Sequence, residues 1–129
     1  MTPELTYLAY FGLLVIATLL VQVLAAMLQV GLPTLAGNRE GLVFTGLAFR
    51  MERAANNSLL ALALVAPAVI MVHLTKQSPE LAAQIMLVFL LARIAYVVLY
   101  AFGIAWFRTL AWVASFGCTA LLYAKALGF

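Results

Sequence analysis

Four long apolar stretches, separated by short polar links, constrain the fold of this chain more than any other feature. Each stretch reaches roughly the 20 residues that a helix needs to cross a bilayer. We expect helices over about 5–30, 42–74, 79–102 and 109–127. Because short links make consecutive helices antiparallel neighbours, the sequence predicts an all-α, integral membrane four-helix bundle in which residues 1–129 form a single domain.

The composition argues against several function classes. The chain is 67% hydrophobic and 9% charged, whereas soluble domains are about 45–50% apolar and 25% charged. Its seven Lys and Arg residues are scattered, so no basic patch indicates nucleic-acid binding. The single cysteine, Cys118, rules out an intrachain disulfide. His73 has no sequence neighbours at metal-ligand spacing, so we expect an interfacial histidine and no metal site.

The positions of the basic residues predict the orientation of the bundle. Four arginines lie in or beside the first and third links: Arg39, Arg50, Arg53 and Arg108. The opposite side has only Lys76 and Lys125. The positive-inside rule therefore places the first and third links in the cytoplasm and both termini outside it.

The second predicted helix carries a polar cluster near its start. Arg50, Arg53 and Asn57 follow the i, i+3, i+7 spacing of one helix face, while Glu52 and Asn56 lie on another face. A charge at the centre of a spanning helix costs about 2.5–3.5 kcal/mol on insertion scales. Such a helix must be enclosed by other helices, from this chain or from neighbours in an oligomer.

The third predicted helix repeats this spacing with Arg93, Tyr96 and Tyr100. Because consecutive helices are antiparallel, Tyr100 should lie nearer than Arg93 to the level of the polar cluster, and the two polar faces are expected to meet. Arg93 lies deep in its helix, where we expect it to pair with a carboxylate such as Glu52. The start of this helix should have Ser78 as its N-cap and Pro79 at its first position.

These motifs resemble the MAPEG superfamily, the membrane-associated proteins in eicosanoid and glutathione metabolism. The resemblance rests on Arg53-Ala54-x-x-Asn57 after Arg50, on the preceding segment 37–40, and on Ala92-Arg93-x-x-Tyr96-x-x-x-Tyr100. The segment 103–108 resembles small bacterial members. The resemblance implies a four-helix protomer that assembles as a homotrimer, with glutathione between adjacent subunits at the cytoplasmic end. It also implies location in a bacterial inner membrane.

The resemblance assigns roles to individual residues. Those that match glutathione-binding positions are Arg50, Arg53, Asn57, Tyr96 and Tyr100. The arginine that activates the thiol in the family lies in the third link, and Arg108 falls one residue from that place; with Tyr100 it is the expected catalytic pair. The chain departs from the family at Leu60, where the motif has a glutamate.

Three functions are compatible with these patterns. One is a glutathione-dependent transferase or peroxidase, in which a thiolate attacks a lipophilic electrophile. Arginine forks bind carboxylates, and a neighbouring Arg or Tyr favours thiolate. The alternative is a non-catalytic lipid- or glutathione-binding membrane protein, which Leu60 favours. A small drug exporter would need a buried carboxylate in its first helix, and that helix has none after Glu4.

Purely structural interpretations remain for several of these residues. The charged cluster alone is compatible with fixing helix register, and the paired tyrosines with core packing. Trp106, Phe107 and Trp112 are typical of an aromatic belt at the membrane surface. Arg39 and Glu40 are expected to form a solvated pair in the first link.

Overall fold

A computed structural model describes residues 1–129, and every secondary structure element in it is helical. The helices are α1 (Pro3–Val30), α2 (Leu32–Ala36), α3 (Gly46–Thr75), α4 (Pro79–Ala101) and α5 (Ala105–Ala126). All except α2 are long and apolar enough to cross a membrane. The chain is therefore an integral, multi-pass membrane protein built on four long helices, as the apolar pattern predicts.

The helices α3 and α4 form the centre of the bundle. Each contacts the other three long helices, whereas α1 and α5 do not touch each other. The main core combines large side chains, such as Phe11 packed edge-on against Phe89 with ring centroids 4.9 Å apart, with small ones such as Ala68 and Ala82. Small residues allow close backbone approach, which stabilises helix packing in lipid.

The first link is more structured than the sequence predicts. It contains α2, and α3 begins at Gly46 instead of near Leu42. The side chain of Gln29 in α1 fixes Thr45 just before α3: Nε2 donates to the Thr45 carbonyl at 3.1 Å, and Oε1 accepts from the Thr45 N–H at 3.1 Å. These bonds hold Thr45 in an extended conformation at the N-cap position of α3, and its N–H is not available to an earlier helical turn.

The other two links are tighter than expected. In the second, Ser78 occupies the N-cap position and Pro79 begins α4, as predicted, but Ser78 adopts a left-handed conformation with φ +45° and its side chain makes no capping hydrogen bond. An N-cap residue whose side chain bonds to the helix typically has extended backbone. In the third, α5 begins at Ala105, four residues before the expected start. Gly103 makes the turn with φ +74°, and Arg108 therefore lies in the first turn of α5.

A contact between the buried Glu4 and the partly exposed His73 joins α1 to α3 at the end of the bundle opposite to this turn. Nδ1 of His73 lies 3.0 Å from Oε1 of Glu4, and the Thr2 hydroxyl donates to the same oxygen at 2.7 Å. Glu4 is only 2% exposed. This contact was not predicted from the sequence, in which the two residues are 69 positions apart.

Candidate functional site

The polar faces of α3 and α4 meet, as their shared spacing predicts. Nε of Arg50 donates to the carbonyl of Ala101 at 3.0 Å, and Nη1 of Arg93 donates to Oδ1 of Asn57 at 3.0 Å. Contacts of residue 50 with 101 and of residue 57 with 93 run in opposite directions along the two helices. This antiparallel register places Tyr100 closer than Arg93 to the level of Arg50.

Arg93 has polar but uncharged partners, so the prediction that it pairs with Glu52 is wrong. Besides Asn57, it donates from Nη2 to the Ser58 hydroxyl at 2.9 Å. Its guanidinium lies over the Tyr96 ring, with Cζ 4.3 Å from the ring centroid. The rotation of α3 determines which of its residues Arg93 contacts. Asn57 and Ser58 face α4 and accept its hydrogen bonds, whereas Glu52 forms no ion pair with any residue.

Arg50 and Arg53 differ in their surroundings although they share a helix face. Arg50 is half-buried beside the turn after α4, where its Cδ lies 3.7 Å from the position that a Cβ would occupy at Gly103. Arg53 is exposed, its Cζ lies 5.7 Å from the centroid of the Phe49 ring, and its side chain makes no hydrogen bond or ion pair. Arg53 therefore keeps its hydrogen-bond donors free.

The two tyrosines and Arg108 form one contiguous group. The rings of Tyr96 and Tyr100 pack edge to face, with centroids 5.5 Å apart. Cζ of Arg108 lies 4.1 Å from the Tyr100 centroid, which places the guanidinium over the ring. The candidate catalytic and binding residues from three helices thus gather at one end of the bundle.

None of the arginines at this end has a carboxylate partner. The only ion pair in the protein is Glu4 with His73, at the other end. The expected pair of Arg39 with Glu40 does not form; Nε of Arg39 instead donates to the Leu35 carbonyl at 2.7 Å. Arginines that form no ion pair with Glu40 or Glu52 at the same end are suited to binding an anionic ligand.

A cavity of about 180 Å³ adjoins this group between α3, α4 and α5. Asn57, Leu60 and Arg93 lie in its wall together with Trp112 and Phe116. Trp112 lines the cavity and stacks on Phe116 with ring centroids 5.3 Å apart. The other tryptophan, Trp106, is 84% exposed.

Comparison with family models gives a match to the MAPEG family over residues 5–128, nearly the whole chain. The chain belongs to the MAPEG family. Comparison with curated proteins and with solved structures found no match. The family assignment agrees with the resemblance inferred from the two arginine motifs.

Two features of this MAPEG protein escaped the sequence analysis. Ser58 follows Asn57 directly, and nothing in the sequence distinguishes it from other helical serines until α4 is packed against it. The Glu4–His73 pair had a weak signal: a lone acid at the start of one spanning helix and a lone histidine at the end of another lie at the same membrane level.

Proposed function

We propose that this MAPEG protein is a glutathione-dependent transferase or peroxidase that acts on lipophilic electrophiles. The observation that carries the proposal is the group of arginines without carboxylate partners beside two tyrosines, at one end of the bundle. Glutathione has two carboxylates and a thiol, and it therefore matches a site with several guanidinium groups and phenolic hydroxyls.

The two carboxylates of glutathione would bind to the arginine group. Arg53 is exposed and its fork is free for a bidentate contact. The carbonyl oxygen of Asn57 already accepts a hydrogen bond from Arg93, so its amide group is left to donate to an acidic ligand. Arg50, held by the Ala101 carbonyl, adds positive charge at the same end.

Arg108 and Tyr100 would activate the thiol. The Arg108 charge, stacked against the Tyr100 ring, stabilises a thiolate, and the Tyr100 hydroxyl donates a hydrogen bond to sulfur. A thiol of ordinary pKa near 8.5 is mostly protonated at neutral pH, so each unit of lowering raises the reactive fraction up to roughly tenfold. The thiolate then attacks an electrophilic carbon or a peroxide oxygen of a molecule that arrives from the bilayer, and the displaced group leaves.

The proposal includes assembly into a homotrimer in a bacterial inner membrane, with both termini outside the cytoplasm. Within one protomer, Arg53 and Asn56 are exposed on a helix that crosses the membrane. Burying them against neighbouring subunits would remove this cost and would close the site from the lipid side. Native mass spectrometry should detect three subunits, and a stable monomer would contradict this part.

Calorimetry with purified protein in detergent tests the ligand. Arg53→Ala should weaken glutathione binding roughly ten- to hundredfold, which is the effect of one charge-assisted hydrogen bond. Lys125→Ala, which removes a charge at the opposite end, is the matched control and should bind normally. Equal affinity of both variants and the wild type would refute the assignment of Arg53.

Thiolate absorbance in the ultraviolet separates catalysis from binding alone. Bound glutathione should give this signal at neutral pH, and Arg108→Ala and Tyr100→Phe should reduce it in parallel with the rate of conjugation to a chlorodinitrobenzene. Leu60, which is 65% exposed and replaces the family's acid, favours the alternative of a non-catalytic lipid- or glutathione-binding protein. Binding without thiolate or turnover would establish that alternative.

A further inference from the structure

Glu4, at the end of the bundle opposite to the arginine group, is a buried acid with one unused oxygen. The residue is only 2% exposed. The Thr2 hydroxyl donates to its Oε1 at 2.7 Å, and Nδ1 of His73 lies 3.0 Å from the same atom. Its Oε2 has no hydrogen-bond partner in the protein. Because a buried polar atom without a partner is costly, this oxygen is an acceptor for a donor from outside the chain.

Two cavities lie against Glu4. One, of about 260 Å³, also has His73 and Lys76 in its wall. The other, of about 400 Å³, also has Glu80 and Gln84 in its wall. Lys76 and Glu80 are exposed, so both cavities open at the protein surface. A hydrogen-bond donor that enters either cavity is therefore placed beside the Glu4 carboxylate.

The charged residues around these cavities lie at the ends of spanning helices. Glu4 is in the first turn of α1, Lys76 caps the end of α3, and Glu80 is in the first turn of α4. The ends of helices long enough to cross a bilayer lie at the level of the lipid headgroups. The site is therefore placed beside headgroups and away from the acyl chains.

The distribution of charge matches a ligand that has both signs. Glu4 and Lys76 line the same cavity, yet they form no ion pair with each other. A zwitterion between them satisfies both, with its cationic group on the carboxylate and its anionic group on the ammonium. A metal ion is a poorer match, because the protein has no group of three or more His, Cys, Asp or Glu side chains that could hold one.

The lining side chains also select the kind of cationic group. Proteins recognise quaternary ammonium groups with cages of aromatic rings, and neither cavity has a Phe, Tyr or Trp side chain in its wall. A carboxylate oxygen that lacks a hydrogen bond needs an N–H donor, which a primary ammonium has and a quaternary one lacks. The site therefore favours a primary ammonium.

We propose that this site binds the phosphoethanolamine headgroup of a membrane phospholipid. The primary ammonium donates to the Glu4 carboxylate, with the charge of Glu80 nearby, and the phosphate pairs with Lys76. The lipid is preferred to a soluble phosphoethanolamine because the site lies at headgroup level, where the acyl chains remain in the bilayer. The site is at the opposite end from the arginine group and does not depend on glutathione binding.

Native mass spectrometry of the full-length, delipidated protein in detergent micelles tests the selectivity. The protein is mixed with equimolar phosphatidylethanolamine and phosphatidylcholine that have the same acyl chains, and the two lipid adducts are compared. We expect the phosphatidylethanolamine adduct to be favoured roughly tenfold or more, which is the effect of one charge-assisted hydrogen bond. The monomethyl and dimethyl derivatives should fall between the two lipids, in the order of their remaining N–H donors.

Three variants separate the ammonium from the phosphate. Glu4→Gln keeps the shape of the side chain and removes its charge, so the preference for phosphatidylethanolamine should fall to near equality. Glu52→Gln, which removes a half-buried acid at the opposite end, is the matched control and should keep the full preference. Lys76→Gln should weaken both adducts alike and keep their ratio, because the two lipids share the phosphate.

Several outcomes would overturn the proposal. Equal adducts with the wild type would mean that the lipids bind without headgroup selection. Full preference in Glu4→Gln would mean that this carboxylate does not receive the ammonium. Displacement of the lipid by an equal concentration of soluble glycerophosphoethanolamine would refute the assignment to a membrane lipid. If Glu4→Gln fails to fold, the methylated series and Lys76→Gln still decide, since a lost ratio in Lys76→Gln would refute the separate roles of the two charges.

Discussion

Replacing Ser58 by alanine removes one of the two side chains that accept hydrogen bonds from Arg93. Both residues are buried, Ser58 at 0% and Arg93 at 1% exposure, and the hydroxyl lies 2.9 Å from Nη2. After the change, that N–H group faces a methyl group in a region that water does not reach. The Ser58→Ala variant should therefore fold with the same helices but lower stability.

The expected loss in the free energy of unfolding follows from two ranges of measured hydrogen-bond energies. Hydrogen bonds to charged groups contribute about 1.5–3 kcal/mol in soluble proteins, whereas side-chain hydrogen bonds in a membrane protein average about 0.6 and reach about 1.7 kcal/mol. Because the donor is a buried cation, we expect the upper end of the membrane range, about 1.5 kcal/mol. This corresponds to roughly a twelvefold change in the unfolding equilibrium.

Ser115→Ala is the matched control. Ser115 is also buried, but its hydroxyl donates to the Trp112 carbonyl in its own helix at 2.9 Å. Such local bonds to the preceding turn contribute little or slightly destabilise a helix. Stability is measured by titrating sodium dodecyl sulfate into detergent micelles and following helix content by circular dichroism.

A double-mutant cycle assigns the effect to the bond itself. In an Arg93→Met background, Ser58→Ala should cost no more than Ser115→Ala, because no donor remains. If Ser58→Ala is no more destabilising than Ser115→Ala in the wild-type background, the Ser58–Arg93 bond does not stabilise the protein. If the full cost of Ser58→Ala persists without Arg93, the cost does not arise from this bond.

Three further predictions concern other parts of the molecule. Leu60→Glu should tighten glutathione binding in calorimetry, because it supplies a carboxylate for the ligand's amino group; unchanged or weaker binding would contradict the proposed position of the ligand. His73→Ala should destabilise the protein by about 1–3 kcal/mol in detergent unfolding, since it removes a partner of the buried Glu4 carboxylate; unaltered stability would show that the pair contributes nothing. Gly103→Ala should lower stability by about 1–2 kcal/mol because φ is +74°, whereas Gly117→Ala, in an open helical position, should be neutral or stabilising; equal melting temperatures would refute this.

The sequence by itself determined the class of fold and the main helices. Backbone groups cannot remain unpaired in lipid, so stretches of this length and hydrophobicity have to be helical. It also determined which residues share a face, because the 3.6-residue period fixes that locally. The meeting of the Arg50 and Arg93 faces follows from this period together with the antiparallel direction that short links impose.

The tertiary structure decided which groups pair. Arg93 meets Asn57 and Ser58 because of the rotation and register of α3 against α4, and no local pattern encodes either. The link helix Leu32–Ala36 and the start of α3 depend in the same way on packing against α1 and on the Gln29 side chain. A helix period specifies directions around one axis only. The distance, rotation and level of two helices result from the sum of many weak side-chain contacts across the bundle, and these exist only once it is assembled.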